Sequence, residues 1–316
     1  MTGGAGEDAP AAARVAEPVF RAEGGALYVV ATPVGNLRDV TLRALDILRT
    51  ASVIAAEDTR VSATLLRHYG IDSRMIPLHE HNEVQRAPML IEHLAAGRSV
   101  ALISDAGTPA VSDPGARLVA AVRDAGFVVV PIPGPNAAIG AISAAGLRAD
   151  RFAFLGFAPT GAKQRNALFA SVRSLPCALV LYEAPHRVAA TLHELATAFG
   201  GDRRLVIARE ITKRFETIAA MTLAAAPDWL AADPNRSRGE FVLILDAPDE
   251  ANAPEALDAS AERWLCALLE HVSPAQAARI AAAATGTPRE VVYARALSLK
   301  GNATKDDADG DHGAAS

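Results

Sequence analysis

Short apolar segments alternate with helical segments through the first 145 residues, and this alternation constrains the possible fold more than any other feature. Buried strands are predicted at 27–31, 53–56, 76–79, 99–104 and 128–132, and a helical pattern follows each of them. Neighbouring parallel strands need a crossover connection of about a dozen residues or more, which a helix supplies. The spacing therefore predicts a mostly parallel sheet covered by helices.

A second α/β unit is predicted after a boundary near residue 146, because the alternation resumes there. Its helices are expected near 163–173 and 187–199, and residues 217–222 form an extended piece before a further helix. The predicted strands of this unit are 152–156, 178–182, 205–208 and 241–245.

The remaining segments follow from composition and periodicity. Residues 1–24 are predicted to be a disordered tail, followed by α/β domains at 25–146 and 147–248. A linker at 249–254, a helical module at 255–300 and a disordered acidic tail at 301–316 complete the predicted organisation. Three short helices with a tight turn before the last make the C-terminal module resemble a helix-turn-helix. Nucleic-acid reading, docking and dimerisation all stay open for it, because residues 255–300 balance five basic side chains against five acidic ones.

The net charge of −5 is weak evidence against a nucleic-acid partner, because the two tails together account for all of it. Residues 1–24 hold four acids and two bases, and residues 301–316 hold four Asp and one Lys. Within the folded part, residues 160–217 carry nine Lys or Arg against five acids. That excess suits a phosphate-rich partner, although solvated helix faces would give the same count.

No apolar run is long enough to span a bilayer, and the N-terminus has neither the basic region nor the apolar core of a secretory signal. We therefore expect a cytoplasmic protein with no membrane partner. Two cysteines, Cys177 and Cys266, are too few for a disulfide framework or a cysteine metal site.

Five segments at predicted strand ends are unusually rich in turn-forming and polar residues. The longest, 103–115, contains two glycines and two prolines, and its Asp105, Ser112 and Asp113 bring side-chain oxygens to an edge where open α/β sheets bind ligands. A rigid strand-to-helix connector is the alternative for that loop.

The segment 56–60 places four polar residues directly after a strand. Asp58 paired with Arg60 also suits a helix cap there, and Ser62 is expected to cap the next helix. Residues 133–137 offer backbone N–H groups to a polar ligand.

Together these segments closely resemble the ribosomal RNA small-subunit methyltransferase I family, a branch of the tetrapyrrole (corrin/porphyrin) methylase superfamily. The resemblance covers residues 26–300 in order. It rests on TPVGNLRDVT at 32–41, AEDTR at 56–60, SDAGTP at 104–109, SDPG at 112–115, PGPN at 133–136 and YEAPHR at 182–187.

The resemblance implies two α/β domains of the tetrapyrrole methylase type with S-adenosylmethionine in the cleft between them, and a homodimer. It also implies methyl transfer to the ribose 2′-oxygen of a cytidine, cytidine-1402, in the decoding centre of 16S rRNA within the 30S subunit. By motif, the expected cofactor-binding residues are Pro33, Asp105, Ala106, Gly107, Val111, Asn136, Ala137, Tyr182 and Glu183.

A ribose hydroxyl is a weak nucleophile, so a general base would accelerate the transfer, and Glu57 or Asp58 is the expected catalytic residue. The expected RNA contacts are Arg60, His79, His81, Arg187, Lys213 and Arg214. No metal is expected, because His79 and His81 lack a third ligand at a suitable spacing. Two other functions stay open at this point: methylation of a corrin or porphyrin precursor, and a non-enzymatic S-adenosylmethionine sensor that binds nucleic acid.

Overall fold

The computed structural model describes residues 19–147, 149–248 and 259–306. The chain divides into two compact units, one containing both sheets and the other containing the C-terminal helices together with residues 170–176. The expected linker at 249–254, the start of the helical module and the outer parts of both tails lie outside the described residues.

The first sheet has five parallel strands: β1 Ala26–Val30, β2 Val53–Ala56, β3 Met75–Pro77, β4 Val100–Ile103 and β5 Val128–Ile132. Their order across the sheet is β3-β2-β4-β1-β5. The prediction of a parallel sheet is confirmed. Because all five strands run the same way, the loops that follow them meet at one edge.

Four helices cover the two faces of this sheet: α1 Leu42–Thr50, α2 Thr59–His68, α3 Glu83–Ala95 and α4 Ala116–Asp124. Leu45 and Leu48 of α1 pack on one face, and Leu90 of α3 and Leu118 of α4 pack on the other. Strands buried on both sides explain why β2 and β4 are continuous apolar runs rather than alternating ones.

The second sheet also has five strands: β6 Phe152–Phe157, β7 Ala178–Glu183, β8 Arg204–Arg209, β9 Thr217–Thr222 and β10 Phe241–Leu245. Their order is β6-β7-β10-β8-β9, and only the β6–β7 pair is parallel. The extended piece predicted at 217–222 is the edge strand β9, and helix α8 (Ala226–Ala231) follows it after a short 3-10 turn.

Helix α5 (Ala137–Ala145) packs on the second sheet, although the predicted boundary near residue 146 places it in the first domain. Its buried Ala138, Ala141 and Ala145 pack against strands β7, β8 and β10. The chain therefore crosses from one sheet to the other in the turn before α5. The two longer helices of this half, α6 Ala162–Val172 and α7 Val188–Phe199, follow β6 and β7.

The C-terminal unit consists of α9 Ala259–Leu269, α10 Pro274–Thr285 and α11 Arg289–Asp306. Small apolar residues form its core, including Ala277 and Ala281 of α10 and Val292 of α11. The predicted turn is confirmed, since Gly286 ends α10 in the left-handed conformation. The predicted tail from residue 301 was wrong at its start, because α11 continues to Asp306.

The predicted N-terminal tail also ends earlier than residue 24. The carboxylate of Asp46 in α1 accepts hydrogen bonds from the amides of Val19 and Phe20 at 3.1 and 3.2 Å. The hydroxyl of Thr50 accepts from the amide of Ala22 at 2.9 Å. These contacts attach residues 19–22 to the first domain, and composition alone does not reveal them. No helix in the described ranges has the length and apolar character needed to cross a membrane.

Candidate active site

The loops that follow β1 and β4 are joined at the carboxyl edge of the first sheet. Thr32 and Gly107 form an isolated antiparallel bridge, with N···O distances of 2.8 and 3.0 Å. The Thr32 hydroxyl also donates to the carbonyl of Ser104 at 3.0 Å. These bonds hold residues 104–115 against the end of β1, as a ligand-binding loop requires.

This same loop contains two residues with strained backbone angles. Ala110 and Ser112 have φ values of 67° and 65°, which residues with a side chain rarely adopt. The strain persists where surrounding contacts determine the conformation. Ser112 lies close to the backbone of β6, where only a glycine leaves room for it, since a Cβ built on Gly156 would be 2.8 Å from Ser112 Oγ.

Two neighbouring strand ends exchange hydrogen bonds through carboxylates. The amide of Asp58, after β2, donates to Asp105 Oδ1 at 3.0 Å, and the amide of Asp105, after β4, donates to Glu57 Oε2 at 3.2 Å. Partial burial raises the pKa of both Glu57 and Asp105 above the usual carboxyl values. The edge therefore holds acids that bind protons more readily than free carboxyl groups.

Asp113 completes this acidic group and is a residue that the motif comparison did not assign to the site. Burial is the main cause that raises its pKa to about 6, and the nearby charges of Glu57 and Asp105 act in the same direction. A hydrogen bond with the Ser104 side chain opposes the rise. Its place in the turn-rich loop was the available sequence signal, but burial of its carboxyl group is a tertiary property.

Asp58 is tied to the start of α2, which begins at Thr59. Its carboxylate accepts from the Arg60 amide at 2.8 Å and forms a bidentate pair with the Arg60 guanidinium, with a shortest contact of 2.6 Å. The Arg60 side chain lowers the pKa of Asp58 to about 2. The cap predicted at Ser62 was therefore wrong, and a carboxylate with so low a pKa makes a poor general base.

The second sheet contributes Tyr182 at the end of β7. Its hydroxyl accepts from the amide of Ala138 at 3.2 Å, and its ring makes edge contacts with Phe154 and Phe157. The side chain of Asn136 caps α5 by accepting from the amide of Ile139 at 3.1 Å. Protein acceptors therefore occupy the N–H groups of Ala138 and Ile139 in the first turn of α5.

Glu183 and Arg187 form a buried internal network. Glu183 is 1% exposed, and its carboxylate accepts from the amide of Ala184 at 2.8 Å and from the hydroxyl of Thr191 at 2.6 Å. Arg187 lies 3.2 Å from the same carboxylate and donates to the carbonyls of Ala158 and Pro159. This geometry speaks against the predicted phosphate contact, because the guanidinium already pairs with a carboxylate and two carbonyls of the protein. Both carboxylate oxygens of Glu183 likewise have partners within the protein.

The Lys213 side chain also forms ion pairs within the protein. Its ammonium lies 2.8 Å from Glu210 and 2.7 Å from Glu240, and a Cβ on Gly35 would meet its side chain at 2.5 Å. Two carboxylates neutralise this cation, which speaks against its predicted role in phosphate binding. Arg214 next to it is exposed and lies over the ring of Phe215, so its guanidinium faces solvent.

A cavity of about 300 Å³ opens between the two sheets, and we call it the interdomain cavity. Seven of the nine expected cofactor-binding residues line it: Ala106, Gly107, Val111, Asn136, Ala137, Tyr182 and Glu183. Asp113, Phe157, Phe241 and Lys213 are further lining residues. The structure thus brings most of the motif residues to one hollow of the size used for small ligands.

A second, more open hollow of about 560 Å³ lies beside α2, and we call it the α2 groove. The other two expected cofactor-binding residues, Pro33 and Asp105, line this groove, as do Asp58 and Arg60. Glu57 lines neither hollow, although its carboxylate contacts the amide of Asp105.

His79 and His81 are exposed in the loop after β3, with ring centroids 6.0 Å apart. Asn82 orders this loop by accepting from the His79 amide at 2.9 Å and contacting the His79 ring at 3.0 Å. Among the described residues, no three His, Cys, Asp or Glu side chains are arranged to hold a metal ion.

Comparison with known proteins agrees with this architecture. Residues 26–227 match the family model of the Tetrapyrrole (Corrin/Porphyrin) Methylases, and residues 255–300 match that of the RsmI C-terminal HTH domain. The methyltransferase CobJ superposes with a TM-score of 0.54 at 20% identity, over 71% of this chain and 95% of that one. A cobalt precorrin-4 methyltransferase superposes with a TM-score of 0.53 at 18% identity, covering 70% and 95%. The two sheets and the cavity between them thus define a protein of the tetrapyrrole methylase fold.

Sequence relatives define the branch. Ribosomal RNA small subunit methyltransferase I of Neisseria meningitidis serogroup B is 48% identical over 278 residues, which are 88% of this chain and 94% of the relative. The protein of that name from Pseudomonas aeruginosa is 46% identical over 277 residues, covering 88% and 98%. The chain therefore belongs to the ribosomal RNA small subunit methyltransferase I family, as its motifs predicted.

Proposed function

We propose that this protein transfers a methyl group from S-adenosylmethionine to the ribose 2′-oxygen of cytidine-1402 in the decoding centre of 16S rRNA. One observation carries the proposal: seven residues expected from motifs at separate strand ends line a single cavity next to a group of acidic side chains. Membership in the family supports ribosomal RNA as the substrate class.

The interdomain cavity suits S-adenosylmethionine in its chemistry. The rings of Phe157 and Tyr182 provide apolar and aromatic surface for an adenosine moiety. Asp113 is an acid in the cavity wall, and an acid favours the cationic sulfonium and ammonium groups of this donor. When bound, S-adenosylmethionine supplies a methyl group that the sulfonium already activates for in-line displacement.

The protein's own task is then to orient the reactants and to exclude water. The Thr32–Gly107 bridge fixes the loop that carries Ala106 and Asp113. On the opposite side, the bond from Ala138 to Tyr182 joins α5 to the end of β7. Both sides of the cavity are held by hydrogen bonds, so little reorganisation is needed when ligands bind.

For the general base we propose Glu57 rather than Asp58. The pKa of Glu57 is raised by burial, which makes its carboxylate the more proton-accepting of the two, whereas Asp58 is committed to Arg60. Glu57 also contacts the Asp105 amide at the point where the two hollows approach each other.

Contacts with the RNA are proposed for Arg60, His79, His81 and Arg214, whose side chains are exposed. Structured RNA is bound largely through its phosphates and riboses, which suits cationic and imidazole groups on a surface. The motif resemblance further supports a homodimer that acts in the cytoplasm on the 30S subunit. Light scattering after gel filtration tests the dimer.

Methyl transfer from labelled S-adenosylmethionine tests the function directly. The substrates are 30S subunits that lack the modification, free 16S rRNA and a corrin precursor, and nuclease mapping locates the label. We expect label in the 30S particle, in a 2′-O-methylcytidine at the decoding centre. Label in the corrin compound would establish the small-molecule activity instead, and cofactor binding without any transfer would favour the sensor function.

A further inference from the structure

The α2 groove is a second hollow with its own chemistry, separate from the interdomain cavity. Apolar side chains of Pro33, Leu37, Val61 and Leu65 form part of its walls. The ion pair of Asp58 and Arg60 contributes the polar part, and the Arg60 side chain is 89% exposed. A hollow with apolar walls and a few polar groups is the usual form of a site for a planar organic ligand.

We propose that the α2 groove binds the target nucleotide of the RNA, with the cytosine base extruded from its neighbours and inserted between β1 and α2. This acceptor subsite rests on the proposed function and extends it to the recognition of the base. Enzymes that do chemistry on a base commonly extrude it into a fitted pocket, and the same movement would bring the ribose of the target nucleotide to the methyl donor.

The position of the groove relative to the interdomain cavity supports an acceptor role. Pro33 lines the groove, and the next residue, Val34, lines the cavity. In the same way Asp105 lines the groove while Ala106 lines the cavity. The two hollows therefore share the two loops that the Thr32–Gly107 bridge joins, and ligands in them would be neighbours.

The polar groups of the groove complement the edge of cytosine. Cytosine presents an amino donor at N4 beside acceptors at N3 and O2, and carboxylates commonly accept from N4. The Asp58 carboxylate pairs with Arg60 through both oxygens and still has lone-pair capacity to accept from N4, and Arg60 provides donors beyond those bound to Asp58. Uracil presents an acceptor at position 4 instead, so the Asp58 carboxylate opposes it.

An unpartnered hydroxyl gives independent support. Ser62 lines the groove and is only 4% exposed, yet among the described residues its Oγ has no hydrogen-bond partner. Buried polar atoms are normally paired, so this hydroxyl keeps unused hydrogen-bonding capacity, which a rotation of the side chain would present to a ligand in the groove.

Filling the groove tests the acceptor role. Val61 is 46% exposed and Val84 on α3 is 60% exposed, so Val61→Trp and Val84→Trp add the same ring at the groove and at a surface that lines neither hollow. We expect V61W to lower kcat/KM for 30S subunits at least about tenfold, since misplaced reactants lose alignment. The dissociation constant for S-adenosylmethionine and the Tm should stay at wild-type values in both variants.

Base recognition is tested with 30S subunits reconstituted around 16S rRNA that carries either cytidine or uridine at the target position. Asp58→Asn retains a good helix-capping oxygen but adds an amide donor that uracil can accept from. We expect the wild-type enzyme to prefer cytidine about tenfold or more, and D58N to lose most of that preference.

The possible results separate the two proposals. The acceptor subsite alone would be refuted if the wild-type enzyme transfers methyl groups and V61W keeps full activity. It would also be refuted if D58N keeps the wild-type base preference. A loss of S-adenosylmethionine affinity in V61W equal to its loss of activity would assign the groove to the methyl donor instead. No transfer by the wild-type enzyme would refute the proposed function and the subsite together.

Discussion

The hydroxyl of Tyr182, at the end of β7, accepts a hydrogen bond of 3.2 Å from the backbone amide of Ala138, in the first turn of α5. Tyr182 lines the interdomain cavity, and Ala138 directly follows the lining residue Ala137. This bond satisfies an amide that a helix start would otherwise leave without a partner. It therefore links the geometry of the cavity wall to the packing of α5 on the second sheet.

Tyr182→Phe should weaken both folding and cofactor binding. Loss of the hydroxyl leaves the Ala138 amide unpaired, which costs about 1 kcal/mol of unfolding free energy. The same loosening of the wall should raise the S-adenosylmethionine dissociation constant about fivefold. Chemical denaturation and calorimetric titration measure the two effects.

Tyr28→Phe is the matched control, because the Tyr28 hydroxyl accepts from the Glu23 amide at 2.8 Å away from the cavity lining. It should lose comparable stability and keep wild-type cofactor affinity. Equal cofactor affinities in both variants would disprove the link between this bond and the cavity.

Arg187→Ala should destabilise the fold rather than act selectively on RNA binding. Removing the guanidinium leaves the buried Glu183 carboxylate without its cation and frees the carbonyls of Ala158 and Pro159. A broken buried ion pair costs about 3 kcal/mol or more. Urea denaturation measures this loss.

Arg214→Ala is the comparison for an exposed arginine. It should keep wild-type stability and weaken 30S binding in a filter assay, with a smaller salt dependence. If R187A retained full stability and lost only RNA affinity, the original assignment of Arg187 to a phosphate contact would be restored.

Asp113 should make S-adenosylmethionine binding depend on pH. Because burial raises the pKa of this carboxyl to about 6, its negative charge is present above that pH and is lost as the pH falls through it. Affinity for the cationic donor should therefore drop about tenfold between pH 7 and pH 5. In Asp113→Asn the titration curve should be flat at the weaker affinity, and a retained pH dependence would contradict the assignment.

Glu57→Gln should lower kcat about a hundredfold with little change in cofactor or 30S affinity, since it removes a proton acceptor. The raised pKa of Glu57 places the acidic limb of the wild-type rate profile above the ordinary value of 4.5. The control is Glu80→Gln, an exposed acid near the same sheet edge that should behave as wild type. Single-turnover assays from pH 5 to 8 measure the effect, and full activity of E57Q would exclude it as the base.

The local sequence predicted most of the first sheet correctly, because its strands are continuous apolar runs and each loop carries its own turn chemistry. The loop after β4 illustrates this. Gly107 and Gly115 take positive φ angles that other residues disfavour, so the pattern of glycine and proline reported the backbone shape. The seven motif residues at the interdomain cavity were predicted in another way, from the resemblance of these loops to the family's motifs.

Partners and charge states of side chains were beyond the reach of sequence. Arg187 and Lys213 were predicted to bind phosphate because they are cations in a basic segment. Their actual partners are the carboxylate of Glu183, within the same motif, and those of Glu210 and Glu240, which the folded chain brings together. Position along the chain does not distinguish a solvated cation from one enclosed by acceptors.

The sequence by itself determined the alternation of strands and helices, the family, and the set of loops that form the cavity, because periodicity and turn residues act over a few neighbouring positions. Only the tertiary structure decided that α5 packs on the second sheet and that Asp113 has a raised pKa. Burial and the approach of distant charges control those properties, and both arise when the chain folds.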